Sequence, residues 1–144
     1  MRVISGLIAG LCLAMPVRAE GFLPWQDAEM VALGATVYAD HCAACHGAQL
    51  EGQVPDWRSP GPDGRLPAPP HDETGHTWHH ADMLLFQITK YGTEALIGGE
   101  YRSNMMGFGD LLSDAEIVAV LAYIKSTWPP QVIAAHDRVN AAAQ

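Results

Sequence analysis

Apolar positions recur at helical spacing in three separate stretches of this 144-residue chain, and proline and glycine break up the segments between them. The first stretch covers residues 28–41, where Met30, Leu33 or Gly34, Val37 and Tyr38 return every three or four positions, the period of one helix face. Asp27 stands where a carboxylate can cap the free amides of the first turn, and acidic residues suit that end of the helix dipole. Gly34 interrupts the pattern in mid-helix, which marks either the close approach of another backbone or a tolerated defect. The second stretch follows Asp82 as a cap, runs over 83–90 with Leu84, Leu85 and Ile88 toward the core, and stops at Gly92. The third opens on Ser113-Asp114-Ala115-Glu116, a capping box, and continues over 117–127 with Ile117, Val120, Leu121 and Ile124 on one face and Tyr123 beside it. Pro129-Pro130 ends it. Beyond them Val132, His136 and Val139 are weakly amphipathic in spacing, which predicts a terminal helix or a frayed tail.

Residues 47–75 carry Pro55, Pro60, Pro62, Pro67, Pro69 and Pro70 among several glycines, and 91–112 carry five glycines; both predict loops. A long loop inside a compact domain calls for a function, and wrapping a bound group is one. No segment alternates with period two and no internal repeat recurs. The expected fold class is therefore all-α, three main helices with long Pro/Gly-rich loops.

The chain opens Met1-Arg2, runs apolar from Val3 to Met15, and reaches Val17-Arg18-Ala19, a small-x-small pattern that predicts a secretory signal peptide over 1–19. The run is too short for a permanent membrane span, so no membrane anchor is expected after cleavage. Cys12 falls inside that segment behind Leu11, where a lipoprotein site would want a small residue. The expected division is 1–19 signal peptide, 20–128 a single domain, and 129–144 a tail or short helix, with a start at residue 20 that is flexible. Without 1–19 the chain has six basic side chains against sixteen acidic ones, a formal net charge of −10. That charge argues against nucleic-acid binding and for steering toward basic partner surfaces.

Cleavage leaves Cys42 and Cys45 as the only thiols, and they stand in Cys42-Ala43-Ala44-Cys45-His46, a C-x-x-C-H haem c attachment signature. Two thiols three positions apart on one helical turn can add to two vinyl groups along one haem edge, while the next residue offers an imidazole to the iron. A zinc site would want a second pair of ligands, and a thioredoxin-like pair would want a βαβ context; the sequence supplies neither. A structural disulfide between Cys42 and Cys45 is the remaining alternative. His46 needs an acceptor for its second ring nitrogen, for which a backbone carbonyl among residues 67–70 is suited.

The order of parts resembles the class I c-type cytochromes: a helix ending in C-x-x-C-H, a Pro-rich loop, a middle helix, a methionine loop, and a last helix with Leu-Ser-Asp-x-Glu-Ile and Ala-Tyr-Ile-Lys. The resemblance covers most of residues 27–128. It implies a cytochrome c-like fold, one covalent haem c held by Cys42 and Cys45, and a methionine as sixth iron ligand opposite His46. Met105 stands three residues before Phe108, as the family's Met-Pro-x-Phe pattern requires, although Met106 replaces the proline. The resemblance also implies that Gly34 and Tyr38 cross the last helix near Tyr123. The function it implies is one-electron transfer between redox proteins by a soluble, exported, periplasmic carrier that is not an enzyme.

Four of the seven histidines, His71, His76, His79 and His80, cluster with Asp72 and Glu73. Imidazole with carboxylate suits copper or zinc, so a metal-binding or relay protein with a second metal site is an alternative from another class. A peroxidase-like or ligand-sensing haem protein, with Met105 detached, is a third. Trp57, Trp78, Tyr91 and Tyr101 are candidates for packing on the haem, and Arg58, Arg65 and Lys90 for pairing its propionates.

Overall fold

The computed structural model describes residues 21–144. The signal-peptide reading over 1–19 lies outside the described residues. Among the described residues six α-helices follow one another: α1 Ala28–His41, α2 Ala43–His46, α3 Asp82–Tyr91, α4 Thr93–Ile97, α5 Asp114–Ser126 and α6 Pro130–Ala142. A short 3-10 turn, Thr77–His79, precedes α3. The described residues form no strand, only an isolated bridge between Gly92 and Met106, so the fold is all-α. No helix among the described residues is long and apolar enough to cross a membrane.

The two strongest sequence signals produce the central helix pair. Asp27 Oδ1 accepts from the amides of Glu29 and Met30 at 2.9 and 3.2 Å, starting α1. Ser113 and Glu116 close their capping box, starting α5. Ile117, Ala119 and Ala122 on α5 are fully buried, and Val120, Leu121 and Ile124 nearly so, so both sides of α5 meet other elements. Gly34 of α1 lies directly on the Ala119 carbonyl of α5, with no room for a Cβ between them. One turn on, the Tyr38 and Tyr123 rings pack at 5.5 Å, tilted by 54°. The mid-helix glycine is therefore a close approach of backbones, at the crossing near Tyr123 that the resemblance implies.

The structure corrects four expectations. Asp82 does not cap α3; it is the first helical residue behind Ala81, and its carboxylate is 1% exposed. Oδ2 accepts from the amides of Phe22 and Leu23 at 2.7 and 3.1 Å, so the start of the described chain is pinned, not flexible, and Leu23 is buried. The cap comes from the far end of the chain: Asn140 Oδ1 accepts from the Asp82 amide at 2.8 Å, and Asn140 Nδ2 donates to Asp82 Oδ1 at 3.1 Å. With Asp82 turned inward, the buried stripe of α3 is Asp82, Leu85 and Thr89, and Leu84 is rotated out to 40% exposure.

The stretch 91–112 is not all loop, because Thr93–Ile97 makes one further turn between Gly92 and Gly98. The residues after Pro129 form α6, a fourth long helix started by Pro130 in its first turn and carrying the buried His136 and Asn140.

Candidate functional site

The end of α1 and the single turn of α2 bring Cys42, Cys45 and His46 together. The amides of Cys45 and His46 both donate to the Cys42 carbonyl, at 3.1 and 2.9 Å, which winds the three side chains onto one turn. Both cysteines are free thiols, Cys45 exposed and Cys42 partly buried against the core. Burial, with Cys45 beside it, pushes the Cys42 thiol up to about 11. Tyr38 closes the turn from below by donating its hydroxyl to the Gly47 carbonyl at 2.9 Å.

His46 is 7% exposed, and its Nδ1 lies 2.9 Å from the Pro69 carbonyl oxygen. A carbonyl only accepts, so Nδ1 carries the proton and the Nε2 lone pair is left for a ligand role. Burial holds the imidazole below its usual range, against the opposing pull of that carbonyl, and so favours the neutral form. The loop ties that place Pro69 are on both sides: Gln53 donates to the Ala68 carbonyl at 2.9 Å, and the His71 amide to the Leu50 carbonyl at 2.8 Å. Gly52, at φ +81°, packs against the Pro70 backbone nitrogen where a Cβ would come within 2.7 Å. A loop this long keeps a defined shape because its backbone groups are bonded back to α2 and to itself.

Met105 packs against the hydrophobic core and donates its amide to Ser103 Oγ at 3.0 Å, whereas Met106 is 58% exposed. Two clefts, each of about 520 Å³, open on this side of the molecule. One is walled by the Met105 loop and the start of α4, the other by residues 53–67, and Asn104 stands in both walls. Arg65 Nη1 donates to Asn104 Oδ1 at 2.6 Å, joining the two loops.

Of the charged residues considered for propionate pairing, Arg58 lies over the Trp57 ring at 4.0 Å and Lys90 pairs with Asp114 at 2.7 Å. Trp57 is buried, Trp78 Nε1 donates to the Glu73 carbonyl, and Tyr91 is exposed.

The four clustered histidines are not gathered into one ligand set. Among the described residues no group of three or more His, Cys, Asp or Glu side chains is placed to hold a metal ion. Each ring has an aromatic neighbour instead: His71 stacks on His46, His76 on Trp57 at 5.0 Å, His79 lies edge-on to Trp78 at 3.7 Å, and His80 is edge-on to His76 at 5.2 Å. The structure therefore gives no support to the expected copper or zinc site at His71, His76, His79 and His80: His71 and His79 pack on other rings, and only His76 and His80 lie against each other.

The same stacking reveals a residue that sequence reasoning did not assign to the site. His71 lies face to face with His46, ring centroids 4.0 Å apart and planes 22° from parallel. Its only sequence signal is its place two residues after Pro69.

A cytochrome c family model matches residues 31–128. Comparison with curated proteins and with solved structures finds no match. The matched span begins inside α1, contains Cys42, Cys45 and His46, passes through the Met105 loop and ends two residues beyond α5, and on that match the chain belongs to the cytochrome c family.

Proposed function

We propose that this chain is a soluble, exported monohaem c-type cytochrome that carries single electrons between redox proteins. In this reading Cys42 and Cys45 would hold the haem through thioether bonds, and His46 and Met105 would supply protein ligands to its iron. The observation that carries it is the 2.9 Å bond from His46 Nδ1 to the Pro69 carbonyl, made on the turn that presents both free thiols. Metal-bound imidazoles are held in this way, with one ring nitrogen on a carbonyl and the other on the metal.

Haem, when bound, supplies a ferric/ferrous couple, and a Met/His ligand pair raises its potential. The chain's own residues do the rest. The Pro69 carbonyl fixes His46 in one tautomer and burial favours its neutral form, while Met105 packs against the core. Two protein ligands leave no open position for a substrate, which supports a carrier in place of an enzyme. The negative net charge of the chain supports basic docking partners, and the pattern over 1–19 supports export to the periplasm.

The test is expression in a host that matures c-type cytochromes. The exported product is expected to carry the mass of one haem, to show c-type bands when reduced, and to show the weak near-infrared absorbance of methionine ligation when oxidised. Rapid carbon monoxide binding by the native ferrous protein would contradict the carrier reading and favour a ligand-binding haem protein.

A further inference from the structure

His46 carries two restraints of different kinds, and both come from one short segment. The Pro69 carbonyl holds Nδ1 at 2.9 Å, but a single hydrogen bond along one edge leaves the ring free to tilt about that edge. The His71 ring, 4.0 Å away and 22° from parallel, blocks the tilt from one face. We propose that His71 is a positioning residue for His46, a flat wall that works with the Pro69 carbonyl to set the rotation and tilt of that imidazole. The inference rests on the reading of His46 as an axial iron ligand.

The wall is itself anchored on several sides. Pro69 and Pro70 restrict the backbone leading into it. The His71 amide donates to the Leu50 carbonyl at 2.8 Å, and Trp128 Nε1 donates to the His71 carbonyl at 2.7 Å, which ties the segment to the α2 side and to the end of α5. The ring has its own bond, Nδ1 to the buried Thr77 hydroxyl at 2.7 Å. The Tyr38 ring stands edge-on at 6.3 Å. A residue needed only to fill space beside His46 would require no ring-directed hydrogen bond, and an aliphatic side chain would do. The bond to Thr77 fixes the angle of the ring about its own Cβ–Cγ axis, and that angle decides whether the faces of His71 and His46 lie parallel.

An axial imidazole's rotation sets its overlap with the iron d orbitals, so a change in rotation is read in the ferric g-values and in the midpoint potential. The experiment compares purified holoproteins: wild type, His71→Leu, His71→Phe and Thr77→Val. His71→Leu keeps bulk and loses flatness, and both readouts are expected to shift. Thr77→Val is expected to shift them in the same direction by less, and His71→Phe, which restores a flat face, to return them most of the way. If His71→Leu yields no holoprotein, Thr77→Val, which deletes one hydroxyl, decides the matter alone. Unchanged g-values and potential in Leu and Val variants overturn the inference, as does a Phe variant that departs as far as Leu. A wild-type ferric protein lacking the low-spin His/Met spectrum overturns the ligand assignment itself, which separates the failure of the function from the failure of the wall.

Discussion

Gly34 of α1 rests on the carbonyl of Ala119 in α5, and that one backbone contact sets how closely the two central helices approach. A Cβ at position 34 would collide with the Ala119 carbonyl and the Tyr123 Cβ, atoms that move only if a helix moves. Gly34→Ala is expected to destabilise the protein by about 2 kcal/mol or more, the scale of overpacking in a close-packed core and well above the gain from helix propensity. Denaturant unfolding of the holoprotein checks it. A variant as stable as wild type would show that the helices separate at no cost.

Met105 and Met106 are neighbours in sequence with opposite surroundings, Met105 against the core and Met106 58% exposed. Met105→Ala is expected to lower the midpoint potential and to admit imidazole or carbon monoxide, because in the proposed reading the substitution removes one of two iron ligands and opens its position. Met106→Ala is expected to change neither. Equal ligand binding by the two variants contradicts the assignment of Met105.

Asn140 and Asp82 bond to each other twice, across 58 positions of sequence. Asn140→Ala strands the buried Asp82 amide and removes one donor from a carboxylate that is 1% exposed. The expected cost is about 1–3 kcal/mol, the range for leaving a buried polar group unpaired. Urea unfolding measures it, and protection of the Phe22 and Leu23 amides from hydrogen exchange should fall in parallel, since both donate to the same carboxylate. Unchanged protection with unchanged stability would show that α6 and the start of the described chain do not hold α3.

His136 is fully buried, with Nε2 donating to the His80 carbonyl at 3.0 Å and lying 3.3 Å from Asp82 Oδ1. Its Nδ1 has no hydrogen-bond partner, so a second ring proton would have no acceptor. Burial, and then the Lys125 ammonium, outweigh the Asp82 and Asp137 carboxylates and hold the imidazole below its ordinary value of 6.5. The unfolded chain therefore binds the extra proton first as pH falls. Stability from His136 is complete above pH 6.5 and is lost on acidification below it. His76 and His80, also held low by burial, add to the same slope. The diagnostic is thus a difference: His136→Gln, which keeps a donor for the His80 carbonyl and cannot titrate, should lose less stability than wild type between pH 7 and pH 5. Parallel profiles would remove His136 from the acid response.

Sequence alone determined what depends on near neighbours. The caps at Asp27 and Ser113 act within three positions, so α1 and α5 begin where the pattern places them. Cys42, Cys45 and His46 share a turn because their spacing allows no other arrangement once a helix forms. Loops at 47–75 and around Met105 follow from runs of proline and glycine, whose local energetics disfavour helix interiors. Only the tertiary structure decided the rest, because periodicity shows that a side chain turns inward without showing what it meets. Asp82 reads as a cap by its position, yet Asn140 takes that role from the other end of the chain and frees the carboxylate to pin Phe22 and Leu23. The four histidines read as a metal cluster by proximity in sequence, yet His71 packs on His46 and His79 on Trp78, which leaves only His76 and His80 against each other. The need of His46 for a carbonyl acceptor points to residues 67–70, and Pro69 supplies it, but no local pattern places the His71 ring on the face of His46.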